Sequence, residues 1–391
     1  YLYATKAIDR FGNTITYTYD QSSPNRITRI QSSDGAQLDI NYNASGLVST
    51  ITVGSRTWTY AYNGRTLTSL QLPDGSKWIY SGDFSLNSIA PEVVGFWSNA
   101  CNMAPGFMNA ATTPSETVLR TISITHPSGA KGDFTFRPLY HGTNNAPGGC
   151  GLLGSVQTSL SWGTWGVPSA YGVESLYQKK ISGPGTTDRI WNYSYVPTWS
   201  FQSQCGSGCA STTKTSVTTA DGVTRRYTYG NDYFSNYGQL LLETVEKSNA
   251  VVKSSAYTYL ATATGQPFPD NAGDIPKANG LADLYGNPFK FKRRPLITTV
   301  TQQDGSTFTR ATTGFDVFAR SLSIQKSNSL GHIKTDITEY HDNLSLWVLG
   351  QVKRQYVPDS NPNAIPGQPG SMVVAETEFD ALARPWKTYG Y

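Results

Sequence analysis

Apolar and polar positions along this chain alternate with a period of two over many short stretches. Residues 56–80 read R-T-W-T-Y-A-Y-N-G-R-T-L-T-S-L-Q-L-P-D-G-S-K-W-I-Y. This is a strand, an Asn-Gly turn, a strand, an Asp-Gly turn and a strand. In the middle strand Leu67 faces away from Thr66 and Thr68, as strict alternation requires. The most frequent local pattern is Tyr-x-Tyr, at Tyr1/Tyr3, Tyr17/Tyr19, Tyr60/Tyr62, Tyr193/Tyr195, Tyr227/Tyr229, Tyr257/Tyr259 and Tyr389/Tyr391. Residues i and i+2 of a strand share a face, so each pair sets two phenol rings side by side. Turn signals punctuate the strands: Asp34-Gly35, Asp74-Gly75, Asp221-Gly222, Asp304-Gly305, Asn63-Gly64 and Ser45-Gly46. Asp-Gly and Asn-Gly between alternating strands predict hairpins with two positive-φ residues at the turn. Helix signals are sparse, and the best stretch for one is 91–100.

Composition agrees with sheets. Charged residues are 15% of the chain, against about 25% in an average soluble domain. Aromatic residues are 12%, with 24 Tyr and 9 Trp, beside 37 Gly and 21 Pro. Aromatics suit half-buried pleated surfaces, and Gly and Pro supply turns. Disordered chains are poor in aromatics, so disorder is not expected. The net charge is +4, and its densest clusters are Lys290, Lys292, Arg293, Arg294 and the pair Arg225, Arg226. Nucleic-acid binding needs a concentrated basic face, and none is expected here. No run approaches the roughly 18 apolar residues of a membrane helix. The first residue is Tyr1 rather than Met, so an interior piece of a longer chain is expected, and the missing signal peptide says nothing about export.

The hairpins recur at roughly 20-residue spacing, in the range of stacked repeats. Their segments resemble YD repeats of the RHS/YD-repeat family: 7–20 (A-I-D-R-F-G-N-T-I-T-Y-T-Y-D), 40–52, 60–70, 314–324 (G-F-D-V-F-A-R-S-L-S-I), 330–342 and 377–387 (T-E-F-D-A-L-A-R-P-W-K). The family's unit is loosely D-x-x-G-n…Y-x-Y-D-x-x-G-r-L. Asp9, Gly12, Tyr17, Tyr19, Asp20, Gly46, Tyr60, Tyr62, Asn63, Gly64, Arg65, Tyr227 and Tyr229 match it. So do Asp316, Arg320, Tyr340, Asp342, Phe379, Asp380 and Arg384. The resemblance covers about half the chain. In the versions that end on Arg320 and Arg384, Phe318 and Leu382 are read as standing in place of the glycine, and 82–214 is largely unmatched.

The resemblance implies an all-β fold: a spiralling strip of antiparallel hairpins forming part of a hollow cocoon, similar to the shells of bacterial toxin complexes and the barrel of animal teneurins. It implies hairpins over 1–81, a loop-rich insertion with extra strands and cysteines over 82–214, and hairpins over 215–391. Its implied role is structural and non-catalytic: a shell segment of a secreted or surface bacterial protein that encloses or presents a C-terminal toxin or effector. The alternative is an adhesin for carbohydrate or cell surfaces built from the same repeats, with Tyr17, Tyr19, Tyr60, Tyr62, Tyr257 and Tyr259 as its aromatic face. Partners are then the rest of the polypeptide or an enclosed effector, or surface glycans. No nucleic acid and no membrane span are expected. The tyrosine rings are expected on one face of a curved, incomplete wall.

Other chemistry is weakly signalled. Cys101, Cys150, Cys205 and Cys209 allow three pairings. Cys205-Gly-Ser-Gly-Cys209 can close a small disulfide loop, leaving Cys101 with Cys150; free thiols or a zinc site are the alternatives. Disulfides place a chain in an oxidising compartment. Gly149 to Gly154 fits G-x-G-x-x-G but lacks the preceding strand and following helix that a phosphate loop needs. Glu339, His341, Asp342 and His332 are the nearest approach to metal ligands, in no known spacing. No cofactor, metal or catalytic residue is therefore expected. The self-cleaving protease motif that many RHS proteins carry, Asp-Pro-x-Gly-Leu or similar, does not occur.

Overall fold

The computed structural model describes residues 3–82, 119–145, 170–200, 205, 208–269, 294–358 and 372–390. The 91–100 stretch, Cys101, Cys150, the Gly149–Gly154 loop and Lys290, Lys292 and Arg293 lie outside them. Among the described residues the chain is all-β and antiparallel, with no helix. The period-two alternation is the cause, and in several strands it leaves one half-buried and one exposed set of side chains. In Arg56–Asn63, Trp58, Tyr60 and Tyr62 are half-buried while Thr57, Thr59 and Ala61 are exposed.

The strands run in chain order. They are β1 (Lys6–Ile8), β2 (Thr14–Tyr19), β3 (Ile27–Ser32), β4 (Gln37–Tyr42), β5 (Val48–Val53), β6 (Arg56–Asn63), β7 (Thr66–Gln71) and β8 (Lys77–Gly82). There follow β9 (Arg120–Thr125), β10 (Lys131–Gly142), β11 (Ala170–Gly183) and β12 (Thr186–Val196). The remainder are β13 (Thr212–Thr218), β14 (Thr224–Gly230), β15 (Leu240–Lys247), β16 (Ala250–Tyr259), β17 (Leu296–Gln303), β18 (Ser306–Phe315), β19 (Ser321–Asn328), β20 (Ile333–Asn343), β21 (Val348–Val357), β22 (Met372–Phe379) and β23 (Pro385–Gly390). The 23 described strands belong to one sheet, and the paired strands are neighbours in sequence: β1 to β10, β11 with β12, and β13 to β23. By compactness the chain divides into two units. One holds Tyr1–Ala90, Pro114–Leu139 and Val173–Asn192; the other holds Pro91–Thr113, Tyr140–Gly172 and Tyr193–Tyr391.

The turns differ from the sequence expectation in type. Nine of them share one pattern: Asp9–Asn13, Ser32–Ala36, Asn43–Leu47, Leu72–Ser76, His126–Ala130, Thr219–Val223, Asp316–Arg320, Asn328–His332 and Asp380–Arg384. In each, the first residue's N–H donates to the carbonyl of the fifth, and the fourth residue's N–H donates back to the first. This is a three-residue loop closed by a left-handed fourth residue, as at Gly12 (φ 86°) and Gly331 (φ 86°). Asp34-Gly35, Asp74-Gly75, Asp221-Gly222 and Ser45-Gly46 therefore contribute one positive-φ residue, not two. Asp304-Gly305 is the two-residue turn expected, with φ of 50° and 75°. At Asn63-Gly64 the loop is Gly64-Arg65, because Asn63 is still paired with Thr66.

The same geometry corrects the repeat alignment. In the turns ending on Arg320 and Arg384 the glycine position is held by Ala319 (φ 61°) and Ala383 (φ 57°), not by Phe318 or Leu382. Left-handed backbone costs a non-glycine residue about 1–2 kcal/mol. Burial offsets it: Ala383 is fully buried, and Ala319 packs against the apolar cluster of Ala263, Phe268 and Phe315. That cluster, with Leu260 and Ile297 against it, lies in the second unit.

Candidate functional site

The tyrosines form the most regular array in the molecule. At the C-terminal end of β2, β4, β6, β14, β16 and β20, the register slips by one residue at Tyr19, Tyr42, Tyr62, Tyr229, Tyr259 and Tyr340. Each slip passes over one residue of the next strand, Thr28, Ser49 and Thr68 in the first unit. A bulge of this kind re-aims side chains and sharpens the strand twist. The bulge at Thr68 also interrupts the strict alternation expected of β7.

The phenol hydroxyls are tied down. Tyr42 donates to the Ile27 carbonyl at 2.8 Å, Tyr62 to Val48 at 2.8 Å, and Tyr19 to Ala4 at 2.7 Å. In the second unit Tyr259 donates to Leu240 at 3.1 Å and Tyr340 to Ser321 at 3.3 Å. Ile27 and Val48 are themselves the bulge partners of Tyr19 and Tyr42. Paired residues and phenol bonds thus alternate from strand to strand: Tyr19, Ile27, Tyr42, Val48, Tyr62. Burial pushes the phenols of Tyr62, Tyr229 and Tyr259 above their ordinary range. Tyr17, Tyr60, Tyr227 and Tyr257 stand beside these rings on the same face, half-buried. Tyr227 and Tyr229 stack with centroids 6.4 Å apart.

The repeat's acidic residues act on turn backbone. One Asp9 oxygen accepts from the N–H groups of Phe11 and Asn13, and the other from the Asn13 amide at 2.8 Å. The Asn13 amide first, then these N–H groups, hold the Asp9 carboxyl below its usual range. Asp20 accepts from Ser22 and Ser23 in the β2–β3 loop. Asp316 and Asp380 repeat the Asp9 arrangement, with Arg320 Nε and Arg384 Nε donating to the second oxygen at 2.6 Å. Gly46 lies where an added Cβ would strike the Arg26 guanidinium.

Arg320 does more than its turn requires. Its Nη1 and Nη2 donate to the two Asp342 oxygens at 2.9 and 2.5 Å, and its guanidinium lies 4.2 Å over the Tyr340 ring. Asp342 also accepts from Gly350 N at 2.8 Å. Arg320 first, then that N–H, hold the Asp342 carboxyl below its usual range, and both aspartates raise the Arg320 guanidinium. The clamp joins the β18–β19 turn to the end of β20. Sequence reading placed Asp342 in a repeat but could not pair it with Arg320, because the link crosses two strands and a bulge.

The grouping of Glu339, His341, Asp342 and His332 does not assemble. Asp342 is held by Arg320, Glu339 lies 3.7 Å from Arg354, His341 stacks on Phe379 at 4.5 Å, and His332 sits in an exposed turn beside Asn328. Among the described residues no group of three or more His, Cys, Asp or Glu is placed to hold a metal ion. Cys205 and Cys209 form a disulfide with Cα atoms 4.8 Å apart. Both sulfurs approach Ser200 Oγ, which donates to Asn144 Oδ1 at 3.0 Å. Asn144 and Asn231 are 3% and 1% exposed. Their amides converge on Thr198 at 2.8–3.0 Å, a polar node that no local motif signals.

No family model matches the chain, and no curated protein matches it. Among solved structures, a Photorhabdus luminescens Tc holotoxin pore with a TccC3 mutation aligns at 10% identity and a TM-score of 0.16. The alignment covers 97% of this chain and 22% of that one. So slight a likeness bears on neither fold nor function. No helix of the described residues is long and apolar enough to cross a membrane, which says nothing of a β-barrel.

Proposed function

We propose that the chain is a wall segment of the RHS/YD-repeat kind, non-catalytic and exported, which encloses or presents another polypeptide. The observation that carries this is the tyrosine array. The repeats' most distinctive side chains act on flanking backbone: the aspartate shapes the turn, the bulge sets the twist against the next strand, and the phenol ties down a carbonyl of the preceding strand. Such devices propagate a sheet strand by strand. The Cys205–Cys209 disulfide suits an oxidising compartment. The test is protease protection in the complete natural polypeptide that carries this chain. A second segment cleaved readily when expressed alone, but resistant when joined to this chain, is the expected result. Equal cleavage in both settings contradicts enclosure.

A further inference from the structure

Pairing register lines up three cations across the second unit. Arg310 of β18 lies opposite Lys326 of β19, and Lys326 lies opposite Lys334 of β20. Directly opposed residues point to the same face with Cβ atoms about 4.5–5.5 Å apart, where like charges repel. A single carboxylate answers them: Asp336, 2.6 Å from Lys326 Nζ and 3.0 Å from Lys334 Nζ. Although burial opposes it, the two lysines hold that carboxyl below its usual range. Arg310 has no hydrogen-bond, carboxylate or ring partner among the described residues. The other described arginines of this unit whose partners are named (Arg225, Arg226, Arg320, Arg354 and Arg384) each meet a carboxylate.

The row lies on the tyrosine face. Tyr257 is opposite Thr299, which is opposite Arg310. Beside it opens a groove of about 560 Å³, lined by Arg310, Ile324, Thr338, Tyr340 and Gln355 among others. Lys326 and Lys334 are about half exposed, at 54% and 51%.

We infer that this face binds an acidic polysaccharide, a chain of sugars bearing carboxylates or sulfates. Three cations in line, one of them unpaired, call for a ligand with several anionic groups along its length. The groove adds hydroxyl and amide groups for sugar hydroxyls and apolar surface at Ile324 for ring faces. Single-stranded nucleic acid fits less well, because it needs free aromatic faces for base stacking. Here the Tyr340 ring is covered by Arg320. The inference rests on charge register and not on the wall reading; it concerns this chain with its tyrosine face uncovered, the face against which the wall reading sets enclosed protein.

The test measures binding of the full chain to immobilised heparin, alginate, dextran and single-stranded DNA at low and high salt. Heparin or alginate, or both, should bind, and which of them binds separates sulfate from carboxylate recognition. Dextran should not bind, DNA should bind at least tenfold more weakly, and salt should weaken the interaction. Arg310→Gln, and Lys326→Gln with Lys334→Gln, should each reduce affinity tenfold or more while the melting temperature holds or rises. Arg225→Gln with Arg226→Gln, cations already paired with Glu243 and Glu246, should leave binding within twofold. Binding that ignores the row variants, that extends to dextran, or that is as tight for DNA overturns the inference.

Discussion

The left-handed turn position separates backbone strain from packing at the scale of single residues. Gly331 has open space where a Cβ would go, so Gly331→Ala should cost only the strain, about 1–2 kcal/mol. Ala319→Gly removes that strain but also a methyl packed against the cluster of Ala263, Phe268 and Phe315, worth about 0.8 kcal/mol. Its net effect on stability should be under about 1 kcal/mol. Denaturant unfolding of the two variants checks both. The turn glycines and Asp9, Asp20, Asp316 and Asp380 were legible in the sequence because each acts within five residues of itself; Asp342, held from 22 residues away, was not. The turn type was not, since Asp-Gly suits both loop lengths and only the pairing of the flanking strands decides between them.

The aspartates also set an acid limit. Asp9, Asp342 and Asp380 are held below the usual carboxylate range by local donors and by Arg320 and Arg384. A carboxyl depressed in the fold contributes stability above its unfolded value of about 3.9, and loses it as pH falls through that value and below. The melting temperature should fall modestly below about pH 6.5, where His141, held by burial below the ordinary imidazole range, resists protonation in the fold, and fall further below about pH 4 as the carboxylates protonate. Asp342→Asn should melt lower than the parent at pH 7 and show a shallower acid decline. A steeper decline in the variant contradicts this assignment.

Between elements, the tyrosine hydroxyls carry the link from one strand to the next. Tyr62→Phe removes the bond to the Val48 carbonyl and should cost about 0.5–1.5 kcal/mol. Tyr60→Phe should cost less, since no hydrogen bond of the Tyr60 hydroxyl accompanies its half-buried ring. Equal costs for the two would contradict the account. The Tyr-x-Tyr spacing predicted that both rings share a face, but not that the second marks a bulge and reaches back to a carbonyl 14 residues earlier. That depends on where the preceding strand starts. The node of Asn144, Asn231 and Thr198 was illegible for the same reason: it joins positions up to 87 residues apart, Asn144 N donating to Asn231 O at 2.8 Å. Reducing Cys205–Cys209 should cost roughly 2 kcal/mol on loop-closure grounds. Amide exchange should then quicken first at Asn144 and Asn231.

For the whole molecule, the sequence carried the fold class further than the role. Alternation, turn residues and aromatics all act locally, so an antiparallel all-β sheet could be read from them. What faces the sheet is set by register across strands rather than by local pattern. The cation row shows the difference: Arg310, Lys326 and Lys334 look scattered in sequence and meet only through pairing. On the proposed function this sheet is a wall around a partner. Electron cryomicroscopy of the complete natural polypeptide tests it most directly. Hairpins continuing the β-ladder around enclosed protein density that lies against the tyrosine face are the expected result. A sheet with both faces open to solvent and no polypeptide against the tyrosines would contradict it.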